Sequence, residues 1–97
     1  MSYLRGHNNL ERDERVKVEF IGPVKDIFGT KQELVEIEPG ETLEKLLQKI
    51  FRQRQVNMSV ESFLVIYNDH GVSSDESKRI VLKKEDKILI LPMLAGG

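Results

Sequence analysis

The sequence predicts a small single-domain α+β fold in which one main helix lies across one face of a mixed sheet of four to five strands. Three observations carry that prediction. Residues 16–20 and 32–38 alternate apolar and polar side chains with period two, the mark of strands with one buried face. Residues 43–51 repeat apolar side chains with period 3.6. The 97-residue length, with 39% hydrophobic and 32% charged residues, allows one core and no second domain. A helix with one apolar stripe and a sheet with one apolar face bury each other in two layers.

Along the chain, residues 1–15 read as a flexible leader, residues 16–92 as the folded domain and residues 93–97 as a flexible C-terminal tail. Beyond Met1 the leader holds only Leu4 and Leu10 as aliphatic residues and closes on Glu11-Arg12-Asp13-Glu14-Arg15, too little apolar surface to offset the entropy of ordering. In the first strand Val16, Val18 and Phe20 oppose Lys17 and Glu19, and Gly22-Pro23 ends it. Gly29 marks a turn within residues 26–30. The second strand sets Val35 and Ile37 against Glu36 and Glu38, and the two strands are expected to pair as a hairpin.

Pro39-Gly40 stops that strand, and Thr42 is placed to cap the helix carrying Leu43, Leu46, Leu47, Ile50 and Phe51. Glu41 and Glu44 stand near its positive end, Arg52 and Arg54 near its negative end. Residues 56–61 form a connection. Residues 63–67 are a dense β-branched and aromatic run, a third strand closed by the turn Asn68-Asp69-His70-Gly71, with Asx side chains bonding the backbone and Gly71 free to take positive φ. A polar loop over 73–79, a short edge strand over 80–82 and a charged turn over 83–86 lead into a final strand over 88–91, terminated by Pro92.

Composition excludes several functions. Fifteen Lys and Arg against sixteen Asp and Glu leave a net charge of -1, so no basic surplus is available for nucleic acid. Without cysteine there are no disulfides, thiolate metal sites or cysteine nucleophiles. No run of about 18 apolar residues exists for a membrane, and the N-terminus lacks the apolar core of a secretion signal, so a cytoplasmic protein is expected. His7 and His70 have no companion at metal-ligand spacing, and Ser73, Ser74 and Ser77 lack the context of an activated nucleophile, so neither a metal nor a catalytic residue is assigned. Lys78, Arg79, Lys83, Lys84 and Lys87 make one segment locally basic, read first as a hydrated face and second as a means of steering onto an acidic partner.

The C-terminal stretch departs from simple alternation. Ile88-Leu89-Ile90-Leu91 is apolar on both sides, so one pair faces the helix and the other is either an exposed contact patch or covered by a further layer. After Pro92 come Met93-Leu94-Ala95-Gly96-Gly97, a segment that reaches at most about 17 Å when extended. Its terminal carboxylate is ionised at neutral pH and is a poor acyl donor until activated. Attack on ATP makes an acyl-adenylate, and glycine leaves a narrow channel and the carbonyl unobstructed. The bland alternative is an interaction module whose glycines are incidental.

Residues 16–22, Gly29, the Gly40-Glu41-Thr42 approach to the helix and above all residues 88–97 resemble the ubiquitin-like sulfur carriers, in particular the small subunit of molybdopterin synthase, with the thiamine-pathway sulfur carrier and the small archaeal ubiquitin-like modifiers as relatives. The resemblance implies a β-grasp fold and adenylation of Gly97, preceded by Gly96, by a partner resembling ubiquitin-activating enzymes that uses ATP and Mg. The carboxylate then becomes a thiocarboxylate that donates sulfur inside the large synthase subunit, in molybdenum cofactor biosynthesis. It further implies a chain that binds no cofactor and is monomeric alone, with Ile88 and Ile90 in the core and Leu89, Leu91, Pro92, Met93, Leu94 and Ala95 meeting partners. The alternative it carries is conjugation of Gly97 to target-protein lysines. The pattern departs from the family at Glu85-Asp86, where Gly-Asp is usual, and in the leader.

Overall fold

A computed structural model describes residues 14–93. The elements are β1 (Arg15–Phe20), α1 (Val24–Phe28), β2 (Gln32–Glu36), α2 (Leu43–Gln53), a 3₁₀ turn (Val60–Ser62), β3 (Phe63–Tyr67), β4 (His70–Val72), α3 (Ser74–Ser77) and β5 (Lys87–Pro92). They build a five-stranded sheet in the order β2-β1-β5-β3-β4, with β1 and β5 parallel and the other neighbours antiparallel. The expected hairpin of the first two strands is present, Val16 standing opposite Val35. The last strand in sequence is the central strand of the sheet.

Helix α2 forms because its apolar residues share one face and both ends are capped. Thr42 Oγ1 accepts the Lys45 N–H at 3.2 Å, a contact worth about 1 kcal/mol. At the other end Gln55 takes φ 59. Its N–H reaches Arg52 O, and the Val56 N–H reaches Phe51 O. This is a Schellman closure built on glutamine where glycine is commoner. Leu43, Leu46, Leu47, Ile50 and Phe51 are buried against Val16, Val18, Phe20, Ile88 and Ile90, each large side chain contributing roughly 1.5–3 kcal/mol. Phe28 stacks on Phe20 with ring centroids 4.6 Å apart and meets Phe51 and Phe63 edge-on. At the far margin the Arg54 guanidinium donates to Glu33 Oε1 at 2.9 and 3.3 Å, tying α2 to β2.

Several short elements differ from the sequence expectation. Residues 24–28 form a helical turn where only a loop with a turn at Gly29 was expected; Pro23 starts it and Gly29, at φ 82, ends it, an order that suits both residues. The polar loop over 73–79 contains α3, held by a reciprocal capping box: Ser73 Oγ accepts the Glu76 N–H at 3.1 Å, and Glu76 Oε1 accepts the Ser73 N–H at 2.8 Å. The turn after β3 is only two residues long. Asn68 (φ 47) and Asp69 (φ 76) take the positive φ expected of Gly71, as a tight hairpin requires. His70 and Gly71 are therefore strand residues of β4. The edge strand expected over 80–82 is reduced to a single bridge between Thr42 and Val81. Finally, β1 starts at Arg15, and Glu14 O already accepts the Ile37 N–H, so order begins inside the range read as leader. The rest of that leader, residues 1–13, lies outside the described residues.

Candidate functional site: the open face of the sheet and the root of the tail

The start of β5 is held by one buried carboxylate. Asp86 Oδ2 accepts the Tyr67 hydroxyl at 2.7 Å and the Lys83 backbone N–H at 2.8 Å, while Oδ1 accepts the Asn68 amide at 2.9 Å. Asn68 in turn receives the Lys87 N–H on its Oδ1 at 2.8 Å. Burial alone would raise the Asp86 pKa, but hydrogen bonds from Asn68, Lys83 and Tyr67, with the Lys83 ammonium, outweigh it and leave the pKa lowered. The same environment, burial first and the Asp86 bond second, raises the Tyr67 pKa. Glu85, where the resemblance leads to an expectation of glycine, takes φ 72. The turn thus keeps a left-handed conformation that glycine adopts without strain.

From this anchor β5 runs between β1 and β3 with strict alternation. Ile88 and Ile90 are wholly buried on the helix side; Leu89 and Leu91 lie half-buried on the opposite face. No element among the described residues covers that face. The open face is broader than Leu89 and Leu91 alone. Register sets Leu64 beside Leu91 and Ile66 beside Leu89, side chains in such pairs lying within contact reach. On the β1 side the Ile21 N–H donates to Ile90 O at 3.0 Å, leaving its side chain 37% exposed. Leu64 is 38% exposed.

Pro92, opposite Phe63, is the last residue of the ladder, as expected for a residue without an N–H. Met93 follows, half exposed, beside a small apolar cleft that Phe63, Leu64, Val72 and Leu47 also line. Leu94, Ala95, Gly96 and Gly97, the remaining residues singled out in the sequence, lie outside the described residues. Of the expected partner-facing set, the structure therefore brings Leu89, Leu91, Pro92 and Met93 together at one end of an uncovered sheet. Sequence reasoning did not name Leu64, Ile66 or Ile21. The available signal was that residues 63–67, like residues 88–91, are apolar on both sides.

The remaining candidates resolve into local structure. Ser73 caps α3, and the buried Ser77 hydroxyl donates to Ser74 O at 2.6 Å. His70 is an exposed strand residue. Among the described residues no three His, Asp or Glu side chains converge to hold a metal ion, and no helix is long and apolar enough to cross a membrane.

A five-stranded mixed sheet with one long helix over a single face, and the chain leaving from its central strand, defines a ubiquitin-like β-grasp protein. Solved structures share this fold. Subunit 1 of a putative molybdopterin converting factor from Pyrococcus furiosus superposes with a TM-score of 0.67 at 19% identity, over 82% of this chain and 98% of its own. Small archaeal modifier protein 1 from Methanosarcina acetivorans gives 0.65 at 20% identity, over 86% and 96%. A chain in the complex of subunits 1 and 2 of the molybdopterin-converting factor from Helicobacter pylori gives 0.60 at 23% identity, over 86% and 99%. No individual curated protein matches by sequence. The ThiS family matches residues 18–97, and the chain belongs to that family of ubiquitin-like sulfur carriers.

Proposed function

We propose that the protein carries sulfur on its own C-terminus for the synthesis of molybdopterin. A Gly97 carboxylate oxygen attacks the α-phosphorus of ATP on a partner resembling ubiquitin-activating enzymes. Pyrophosphate leaves, and an acyl-adenylate forms. A sulfur nucleophile supplied by that system adds to the Gly97 carbonyl, and AMP departs with the original oxygen. The nucleophile is the outer sulfur of a persulfide, and a thiol then cleaves the resulting acyl disulfide, pairing with the donor sulfur and leaving Gly97 as a thiocarboxylate. ATP and Mg belong to the partner, and the chain itself contributes no catalytic group and holds no cofactor. In the large synthase subunit the thiocarboxylate sulfur bonds to an electrophilic carbon of the precursor, displacing an oxygen group, and water then cleaves the acyl–sulfur bond, leaving the sulfur on the precursor and a carboxylate on Gly97.

The observation that carries this reading is the continuity of the uncovered apolar face of β5 with the tail. Leu89 and Leu91, flanked by Ile66 and Leu64, supply a docking surface whose strand runs directly into Pro92 and Met93. A partner that covers the face receives the tail in a fixed direction, the arrangement that converts attack by a terminal carboxylate into an effectively intramolecular step. The Helicobacter pylori relative is named as a complex of two subunits, in keeping with a large-subunit partner.

The test is incubation with the adenylating enzyme of the same organism, ATP, Mg and a sulfur donor, followed by intact-mass measurement. Replacement of one oxygen by sulfur is expected at Gly97. An unchanged mass with a demonstrably active enzyme overturns the reading. The fold likeness to small archaeal modifier protein 1 favours one further outcome, capture of the activated Gly97 carbonyl by a lysine amine. Isopeptide remnants on cellular lysines that vanish when Gly96 and Gly97 are deleted would establish it.

A further inference from the structure

The locally basic segment of the sequence divides in the structure. Lys83 is committed to Asp86, with Nζ 3.6 Å from Oδ1, and Lys78 to Asp75 at 3.7 Å. Lys87 is different. It is the first residue of β5, exposed on the same open face as Leu89 and Leu91, and in the parallel register it stands directly beside Lys17 of β1. Lys17 also faces outward, since Val16 and Val18 are wholly buried. Like charges opposite one another on neighbouring strands destabilise a sheet.

Lys17 is partly relieved by Glu19, 3.4 Å away. Lys87 has no acidic partner among the described residues. The open face is therefore graded: two ammonium groups at its base, and about 7 Å further along β5 the beginning of the apolar patch at Leu89, with Glu19 at the matching place on β1.

We infer that the partner surface received by this face carries carboxylates placed to meet Lys17 and Lys87, so that the apolar patch supplies contact area and the base of the sheet supplies orientation. The inference rests on the docking role proposed above and names the chemistry of the partner. Apolar contact alone is non-directional, and the Leu64, Ile66, Leu89, Leu91 cluster is nearly equivalent end for end. A charged pair at one end distinguishes the orientation that delivers the tail from the one that points it away. Such a pair also speeds encounter in a way that salt suppresses.

The test compares the wild-type chain with Lys87→Glu and with Lys84→Glu, a control cation in the turn before β5, in pyrophosphate exchange with the adenylating enzyme of the same organism. Lys87→Glu is expected to raise the KM for the carrier roughly tenfold at about 50 mM salt and far less at about 500 mM, with kcat unchanged. Lys84→Glu should move KM less than about twofold. The thermal midpoint of Lys87→Glu should hold or rise, because the substitution replaces a like-charge neighbour of Lys17 by an opposite one. An unchanged KM overturns the inference. So does an equal rise in both variants, which would report net charge alone, and so does a fall in thermal midpoint, which would show that Lys87 is neutralised within its own chain. A wild-type chain that supports no exchange overturns the proposed function itself, and this inference with it.

Discussion

The two sides of β5 are chemically almost the same and meet opposite fates. Ile88 and Ile90 vanish into the layer between sheet and helix, while Leu89 and Leu91, equally apolar, stay half exposed beside Leu64 and Ile66. Hydropathy does not separate these pairs. Their surroundings do: α2 and the cluster of Phe20, Phe28, Phe51 and Phe63 lie over one side only. The comparison teaches that the inner pair spends its burial energy on folding, while the outer pair, left half exposed, is the one available for the association proposed above.

That contrast can be broken in four ways, from the largest expected effect to the smallest. Adding one residue after Gly97 displaces the carboxylate on which the proposed function depends and leaves both faces intact. Sulfur loading, read by intact mass, should fall by at least about 100-fold, with an unchanged thermal midpoint. Loading that persists would show that the terminus is not the reacting group.

Truncation on each face comes next. Ile90→Ala should cost about 3 kcal/mol of stability, lowering the midpoint by roughly 12–24 °C in calorimetry. Leu91→Ala should cost less than about 1 kcal/mol of folding stability while weakening partner binding by about 1–3 kcal/mol in titration calorimetry. Equal losses of stability at the two positions would dissolve the distinction.

The anchor at the base of β5 offers a third test. Asp86→Ala leaves the Tyr67 hydroxyl, the Asn68 amide and the Lys83 N–H without their acceptor and should cost about 2–3 kcal/mol in denaturant titration. The folded pKa of Asp86 is lowered, so the native state favours the carboxylate. Its contribution is fully present above the unfolded value near pH 4 and is lost as pH falls through the folded value. Asp86→Asn should therefore flatten the acid limb of the stability profile below about pH 4. Smallest is Glu85→Gly. Relief of a residue held at φ 72 should raise stability by up to about 1 kcal/mol, and a loss would show that the Glu85 side chain contributes something the backbone does not reveal.

How much of this was legible in the sequence depends on what each element needs. Helix α2 and the β1–β2 hairpin were readable because each carries its own period, and Thr42 announces the cap. The two-sided character of residues 88–91 was readable as well, but not which side would face the helix without the family resemblance. Helix α1 escaped because five residues show no helical period; Pro23 and Gly29 bracket it, and the anchoring of Val24 and Phe28 is tertiary. Helix α3 was missed although Ser73 and Glu76 stand at capping-box spacing, a signal masked by a polar run. The hairpin at Asn68-Asp69 was located but read as too long, since either Asx or glycine can supply positive φ. The patch was half read. Leu64 and Ile66 join Leu89 and Leu91 only through the β3–β5 register, and no single strand encodes the identity of its neighbour.

Because β1 and β5 run parallel in the middle of the sheet, the chain enters the folded body at one end and leaves it at the other. The six residues of β5 span about 20 Å, which sets the scale of the separation between Arg15 at the start of β1 and Pro92 at the end of β5. A fluorophore, affinity handle or solid support attached at the Arg15 end of the sheet therefore stands at the opposite end from Pro92. Immobilised by that end, the protein presents the Pro92 end of its central strand outward on a sensor surface.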